Sequence, residues 1–469
     1  MRTTLFFLIC LSAGWSAAQP PVGETLTQAR TPGGEYISWR EHLIDDPATT
    51  GVLVSGSDGL VMGDLDGDGF EDIVSVHESD TQYDGVPDGH IRLAFGSSDP
   101  DHWVNITLAS GAEAAAPEDA AIADVNGDGH PDVIASCELA HLIYLQNPGG
   151  NRARTETWPR LILPQTEGRG SFIRVFFADF NGDGVPEVST PNKGAQNPRR
   201  DEATPTTISV FEITGDPLMG DGWREHVLGS YLIPRNAEPV DIDGDGDLDI
   251  LGGITGENRM VIFENVGAPD GRIDFVEHQI QQSEGGAAGF HAKFADLNED
   301  SRLDIVVTTL GGLGWLEQPS SLDRIWTMHR IGTFRPDSMT GRAIVDIDGD
   351  GDLDVLAGSY SRGPRDGDGA EVTADDALGR LGWFENTGQP TASWLRHDIS
   401  RRKRGMFDEL LARDLDGDGD MDFVGTRGNS NPYDGVFWLE QVRTQTPAPA
   451  FDAAREDDSV EMPLPSPDR

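Results

Sequence analysis

Seven short acidic loops recur along this 469-residue chain in the order Asp-x-Asp/Asn-x-Asp-Gly-x-x-Asp, except that the third ends in Glu187 and the fifth has Ser301 in place of glycine. The first begins at Asp64 and reads DLDGDGFED. Carboxylates at positions 1, 3 and 5 of a tight loop converge on one point, and glycine at position 6 permits the turn. A backbone carbonyl near position 7 and the carboxylate at position 9 can complete an oxygen shell. Such a shell favours Ca²⁺, and without clustered His or Cys the pattern excludes a zinc-type site.

Up to seven structural calcium ions are therefore expected. The candidate ligands are Asp64, Asp66, Asp68 and Asp72; Asp124, Asn126, Asp128 and Asp132; Asp179, Asn181, Asp183 and Glu187; Asp241, Asp243, Asp245 and Asp249; Asp296, Asn298, Asp300 and Asp304; Asp346, Asp348, Asp350 and Asp354; and Asp414, Asp416, Asp418 and Asp422. The fifth loop has Ser301 where glycine belongs, so we expect it to bind calcium most weakly.

Two other interpretations of these loops were weighed. An EF-hand needs glutamate at position 12 and flanking helices, whereas position 12 is Ser75 in the first loop and Ala135 in the second. The EF-hand is rejected. The loops could also be acidic hairpin turns without a metal, but seven copies in register favour cation sites over that interpretation.

The elements around the loops predict β-structure. Loop starts are 60, 55, 62, 55, 50 and 68 residues apart, which suits one four-stranded antiparallel sheet per repeat. An apolar segment precedes each loop (strand A), another follows it (strand B), and a third lies downstream (strand C), as in Val436-Phe437-Trp438-Leu439. A fourth (strand D) carries an aromatic residue and then His, as in Trp394 to Ile399. No helical period is sustained, so the fold class is all-β.

Strand D is missing after the last loop, but a spare copy lies before the first one, at Ser38 to Ile44. An N-terminal strand that completes the last blade closes a ring by hydrogen bonding and leaves no open edge. The prediction is a seven-bladed β-propeller over residues 37–441. Residues 19–36 are expected to be a linker and residues 442–469 a disordered, acidic, Pro-rich tail.

The DxDGDGxxD loops, followed by strands of FEN or WLEQ type, resemble FG-GAP/VCBS repeat proteins. The resemblance covers about residues 37–441 and implies a calcium-loop propeller like the head of integrin α-subunits. It also implies adhesion, carbohydrate binding or, in some families, sugar lyase or dehydratase chemistry, so it leaves function open.

Strand A ordinarily lines the central channel of a propeller, so the starts of these strands should ring the mouth opposite the loops. Counted back from the first Asp of each loop, positions −6 and −5 are expected there. They are Asp58 and Gly59, Glu118 and Asp119, Ile173 and Arg174, Arg235 and Asn236, Phe290 and His291, Thr340 and Gly341, and Asp408 and Glu409. Acids come from blades seven, one and two, and Arg174, Arg235, His291 and Arg342 from the others.

This charge separation has two interpretations: a solvated rim of salt bridges, or a pocket whose basic side holds an anionic carbohydrate. A binding module for such a glycan or for another protein is favoured over an enzyme. For the alternative, a sugar lyase or dehydratase-like enzyme, the acid–base candidates are His291, Asp119, Glu118 and Asp408.

The bulk composition limits partners and location. A formal charge of −46 argues against nucleic acid and anionic membranes as partners. Arg2, the apolar run Leu5 to Leu11 and Ser16-Ala17-Ala18 predict a signal peptide over residues 1–18, hence a secreted or periplasmic protein. Cleavage would leave Cys137 as the only cysteine, and we expect it to be buried in the core. With no disulfide possible, calcium is expected to stabilise the fold. No transmembrane segment is predicted, and the chain is expected to be a monomer.

Overall fold

The computed structural model describes residues 19–79, 85–139, 141–267, 272–284, 286–363 and 365–466. The predicted signal peptide, residues 1–18, lies outside them. Seven sheets follow one another along the chain, each built from four consecutive antiparallel strands except the last. This is the seven-bladed, all-β propeller that the repeat predicted.

The strands are given blade by blade from the channel outwards, as strands A to D. They are, in blade one, Ser57–Gly63, Asp72–His77, His90–Phe95 and Val104–Ser110; in blade two, Pro117–Ala123, Asp132–Cys137, His141–Leu145 and Arg160–Ile162; in blade three, Phe176–Ala178, Glu187–Pro191, Thr206–Ile213 and Trp223–Tyr231; in blade four, Pro234–Val240, Asp249–Ile254, Arg259–Asn265 and Phe275–Gln279. Blade five has Lys293–Ala295, Asp304–Thr309, Gly312–Glu317 and Ile325–Gly332, with Gln281–Gln282 added outside; blade six has Ser338–Val345, Asp354–Tyr360, Gly379–Glu385 and Leu395–Arg402; blade seven has Leu410–Arg413, Asp422–Arg427, Gly435–Thr444 and Tyr36–Asp45, with Phe451–Asp452 added outside.

Helix is confined, among the described residues, to short segments between strands. These are the α-helices Pro47–Thr50 and Asn151–Thr155 and the 3₁₀ turns Gly111–Ala114 and Gly220–Gly222. No described helix has the length and apolar character needed to cross a membrane.

The ring closes through the N-terminal strand, as predicted. Tyr36–Asp45 pairs antiparallel with Gly435–Thr444, from Tyr36 opposite Thr444 to Asp45 opposite Val436. Without this strand the last blade would present an unpaired edge to solvent.

The apolar core lies between neighbouring blades. Val76 and Leu93 of blade one, for example, pack in one buried cluster with Val133 and Ile143 of blade two. Cys137 belongs to the same cluster as a fully buried free thiol, so it fills the core as expected. Every blade thus buries both faces against its neighbours, which explains the nearly continuous apolar runs in strands B and C.

The recurrent His of strand D has a structural partner. In five blades its Nε2 lies within hydrogen-bonding distance of a Glu on strand C of the same blade. The pairs and their N–O distances are His42–Glu440 (2.8 Å), His226–Glu212 (2.6 Å), His278–Glu264 (2.6 Å), His329–Glu317 (2.7 Å) and His397–Glu385 (2.6 Å). These pairs tie the two outer strands together, so the His signal marks blade construction.

The C-terminal segment differs from the disordered tail predicted for residues 442–469. Strand C of blade seven extends to Thr444, and Phe451–Asp452 pairs parallel with Trp39 and Arg40. Asp458 forms ion pairs with Arg402 and Arg427. Buried guanidinium groups need compensating carboxylates, and this segment supplies one, so residues 442–466 are held against blades six and seven.

Candidate functional site

The acidic loops join strands A and B at one end of the ring. In the first loop, Asp64 Oδ1 accepts a hydrogen bond from Gly67 N at 2.8 Å, and Asp64 Oδ2 accepts one from Gly69 N at 3.0 Å. Both glycines have positive φ, +77° and +93°, a backbone region that side chains disfavour. The glycines of the motif are therefore required by the turn itself.

Position 9 fastens each loop to its blade. Asp72 is buried and accepts backbone hydrogen bonds from Leu65 N at 2.8 Å and Gly96 N at 3.0 Å. Burial raises the pKa of Asp72 to about 7, more than these two hydrogen bonds lower it. The same two-sided arrangement recurs, for instance, at Asp354, which binds Ile347 N and Asn386 N.

Four loops bring three carboxylates together, with one oxygen from each residue lying within 4.8 Å of the others. They are Asp64, Asp66 and Asp72; Asp241, Asp243 and Asp249; Asp346, Asp348 and Asp354; and Asp414, Asp416 and Asp422. Because every donor is a hard oxygen, these clusters are compatible with calcium. The second, third and fifth loops have Asn126, Asn181 and Asn298 at position 3 and so lack a carboxylate there.

Arginines pair with candidate calcium ligands in two loops. In the first, Arg154 Nη2 lies 2.9 Å from Asp68 Oδ2, and its Nε contacts Asp66. In the fifth, Arg302 pairs with Asp300 inside the loop. Ser301 has a φ of +66° in that loop, so the missing glycine places a side chain in the left-handed region.

The opposite end of the ring opens into a cavity of 470 Å³, here called the mouth cavity. Position −6 of every blade lines it. These residues are Asp58, Glu118, Ile173, Arg235, Phe290, Thr340 and Asp408. The prediction that the starts of the A strands converge at the mouth is therefore met at position −6 in all seven blades.

Most position −5 residues lie elsewhere. His291 lines the mouth cavity, but Asp119, Arg174 and Glu409 line a second cavity of 380 Å³ along the A strands, nearer the acidic loops. Arg174 Nη1 lies 3.6 Å from Asp119 Oδ2 and 3.5 Å from Glu409 Oε2. Lys293 Nζ also lies 2.9 Å from Glu409 Oε1. This ion-pair network lines the second cavity, and Arg174 joins it to His291 of the mouth cavity; the meeting point is here called the floor of the mouth.

His291 sits at that floor. Its Nδ1 lies 3.5 Å from Arg174 Nη2, and its Nε2 lies 3.4 Å from Asp408 Oδ1. Since a guanidinium can only donate, Nδ1 is the acceptor and a neutral ring carries its proton on Nε2, facing Asp408. Burial, reinforced by Arg174 and Arg342, holds the pKa of His291 well below its ordinary value. Burial raises the pKa of Asp408 to about 7 and that of Asp119 to about 6.

The basic residues that line the mouth cavity are not the four predicted; they are Lys193, Arg235, His291 and Arg365. Arg342 is 1% exposed and lines neither cavity; it donates to Thr308 Oγ1 at 2.6 Å and to Thr340 O at 2.9 Å. Arg174 is engaged below the floor. Of the four residues predicted to bind an anion, Arg235 and His291 reach the mouth cavity. Sequence reasoning failed for Arg342 because strand position alone does not show that a guanidinium is used between blades.

A second ring of lining residues was not predicted. It lies at the end of strand B, 14 positions after the first Asp of each loop in six blades: Glu78, Glu138, Lys193, Thr255, Leu310 and Tyr360. Lys193 is paired with Glu138 across blades two and three. Because strand B runs antiparallel to strand A, its end returns to the mouth, so counting forward as well as backward from each loop could have found this ring.

Comparison with known proteins agrees with the repeat. A model of the FG-GAP-like repeat matches residues 64–135 and 241–307. No curated protein sequence matches the chain.

Solved structures that match the chain include a lectin from Agrocybe aegerita that recognises non-reducing terminal N-acetylglucosamine. It has 13% identity and a TM-score of 0.48, over 91% of this chain and 98% of that one. The core factor of S. cerevisiae has 10% identity and a TM-score of 0.48, over 90% and 63%. The NanB sialidase from Streptococcus pneumoniae has 11% identity and a TM-score of 0.42, over 86% and 70%. With its acidic loops, its seven four-stranded blades and two matches to the repeat model, the chain is a β-propeller that carries FG-GAP-like repeats.

Proposed function

We propose that this protein is a binding module whose ligand, a carbohydrate or a polar group of another protein, enters the mouth cavity. One observation carries the proposal: all seven blades place a residue in one 470 Å³ cavity. That volume lies in the range of small-molecule sites, about 300–1,000 Å³. The lining combines apolar surface from Ile173, Phe290 and Met406 with charged groups. The apolar surface can pack against a ligand, and the charged groups can orient its polar groups.

Calcium is the second part of the proposal. The four three-carboxylate clusters, together with Asp68, Asp245, Asp350 and Asp418, would hold ions in loops one, four, six and seven; the Asn-containing loops two and three would hold them with fewer charges. Loop five would bind most weakly, because Ser301 strains the turn and Arg302 already pairs with Asp300. Up to seven ions would stiffen one end of the ring and so support the cavity at the other.

Export through residues 1–18 completes the proposal. Calcium sites in extracellular modules typically have dissociation constants of about 10⁻⁴ to 10⁻³ M. An exported chain whose only remaining thiol, Cys137, is buried would depend on such ions where other exported domains use disulfides.

A second candidate function, a sugar lyase or dehydratase-like enzyme, is favoured by one arrangement. Neutral His291 lies 3.4 Å from Asp408, whose pKa is raised to about 7 by burial. A base and an acid with separated pKa values at one cavity floor could move a proton on a bound sugar. Arg174 would orient the ring of His291 rather than touch substrate.

A glycan and small-molecule array tests the proposal, with product release followed in the same wells. The key variant is Thr255→Trp, which adds bulk at a half-buried cavity position without changing charge. We expect the wild type to retain a ligand that Thr255→Trp loses, with equal melting temperatures. Equal binding by both proteins would place the site outside the mouth. Product release that His291→Ala abolishes while binding persists would identify the enzyme.

A further inference from the structure

One side of the mouth cavity is built of carboxylates. Asp58 and Glu78 come from blade one, Glu118 from blade two and Asp408 from blade seven; these four are here called the acidic arc. Asp58 is 4% and Glu78 is 5% exposed, so the arc is withdrawn from bulk water. Carboxylates are seldom buried unless a cation compensates them.

The nearby cations are shared between the arc and other groups: Lys193, Arg235 and Arg174 favour the charged form of Glu118, and Arg174 favours that of Asp408. Lys193 pairs with Glu138, which is outside the arc. Arg174 pairs with Asp119 and Glu409 beneath the floor. Asp58 Oδ2 is buried and accepts no hydrogen bond from another residue within the described ranges. Burial, and then the charges of Glu118, Glu78 and Asp408, raise the pKa of Asp58 well above its ordinary value.

The spacing of the arc does not suit a single metal ion. Over the described residues, groups of three acidic or metal-ligating side chains with oxygens within 4.8 Å of one another occur in four of the loops, and the arc does not form one. Its carboxylates instead spread along one wall of a 470 Å³ space. An extended wall of acceptors fits a group with several N–H donors.

Blade four, across the seven-bladed ring from blades seven and one, contributes a cation to the same cavity. Arg235 lines the cavity there, with its guanidinium carbon 5.4 Å from the centre of the Phe290 ring, beside which a ligand could pack. A molecule spanning the cavity would therefore meet acceptors at one end and a cation at the other. This polarity differs from the anion-binding site predicted from the sequence, because Arg174 and Arg342 do not reach the cavity.

We propose that the mouth cavity selects an organic cation, a ligand with an ammonium or guanidinium group held by the acidic arc and a polar or anionic group turned towards Arg235. This inference rests on the proposed function, since it requires that the mouth be the ligand site. Several charge-assisted hydrogen bonds to one N–H-rich group would supply both affinity and orientation. They would also compensate the mutual repulsion of the arc, which the free protein must tolerate.

Titration of the calcium-loaded protein with matched probes tests the ligand class. Glucosamine, glucose and glucuronate share a sugar ring and differ in charge. The linear probes 1,4-diaminobutane and 1,4-butanediol share a four-carbon chain, and only the first carries positive charges. We expect each amine to bind about tenfold or more tightly than its uncharged counterpart, as the loss of a charged hydrogen bond implies. Glucuronate should bind no better than glucose.

Asp58→Asn keeps the side-chain shape and removes one charge of the arc. We expect it to weaken amine binding about tenfold and, without ligand, to raise the melting temperature, because it relieves like-charge repulsion. Asp221→Asn, at an exposed turn outside the cavity lining, is the matched control and should change neither property.

Three results would overturn the inference. Glucose or glucuronate could bind as well as glucosamine, the amines could bind equally to Asp58→Asn, or no probe could bind the wild type better than Thr255→Trp. The first two would leave the mouth as a ligand site and refute only the ligand class. In the third case the glycan and small-molecule array decides separately whether the mouth is a ligand site. If the array finds another ligand that binds the wild type and not Thr255→Trp, the proposed function stands and only the ligand class is refuted.

Discussion

Replacing Asp458 by asparagine should lower the free energy of unfolding by about 3 kcal/mol, although composition places this residue in an acidic tail. Arg427 Nη1 donates to Asp458 Oδ2 at 2.7 Å, and Arg402 Nη1 donates to the same oxygen at 3.2 Å. The side chains of Asp458 and Arg402 are 6% and 1% exposed, so solvent screens this network weakly.

The expected loss of about 3 kcal/mol depends on which interactions the arginines retain after the substitution. Removing one partner of a buried ion pair costs about 3–5 kcal/mol. Arg402 retains both oxygens of Glu41, each at 2.9 Å from Nη2, and the asparagine carbonyl still accepts one hydrogen bond. These remaining contacts place the expected loss at the lower end of the range.

The effect has a defined pH dependence. Although burial alone would raise it, the Arg427 and Arg402 guanidiniums hold the pKa of Asp458 well below its ordinary value. A carboxylate with a lowered folded-state pKa contributes stability above its unfolded pKa of about 3.9, and that contribution is lost as the pH falls through the folded value. The difference between wild type and Asp458→Asn should therefore be full at pH 7 and shrink below about pH 4.

Urea unfolding followed by tryptophan fluorescence measures the difference, with Asp457→Asn as the control because Asp457 is the exposed neighbour. We expect the control to remain within about 0.5 kcal/mol of wild type. If Asp458→Asn behaved like this control at pH 7, the packing of residues 442–466 against blades six and seven would be refuted.

Three further perturbations test other parts of the structure. Deleting residues 37–44 should cause aggregation or loss of cooperative unfolding, because it removes the strand that closes blade seven; a stable monomer by light scattering would exclude this closure. Calcium should raise the melting temperature relative to a chelator, since each site contributes about 2.7 kcal/mol when free calcium is 100 times its dissociation constant. Superimposable melting curves would show that calcium does not stabilise the fold. Ser301→Gly should stabilise the protein by about 1 kcal/mol, because glycine adopts the observed positive φ without strain; it should also strengthen calcium binding by loop five, and an unchanged calcium titration would argue against that site.

Most of the fold could be predicted from the sequence because the same local pattern recurs in every blade. Trp394 to Ile399 marked strand D of blade six, which runs from Leu395 to Arg402, and Ser38 to Ile44 marked the closing strand, Tyr36–Asp45. These predictions succeeded because each blade repeats the same order of apolar segments around a conspicuous loop. The ends of the strands shifted, and the two added outer strands, Gln281–Gln282 and Phe451–Asp452, were not predicted.

The site was predicted less completely because it depends on which way neighbouring side chains point. In blade three, Ile173 at position −6 lines the mouth while Arg174 at position −5 is used below it, and the repeat alone does not give the direction of either side chain. Glu78 and Glu138 were missed because only one direction from the loop was counted. The tail was misjudged from its own composition, since its partners Arg402 and Arg427 lie on other blades; the basic run 401–404 in an acidic chain was the available signal.

A crystal structure of the calcium-loaded protein with an array-selected ligand tests the central claim most directly. The account predicts ligand density inside the mouth cavity, between Asp58 and Arg235, with the floor of the mouth at His291 unchanged. Ligand density at the acidic-loop end or on an outer blade edge, with the mouth holding only solvent, would contradict it.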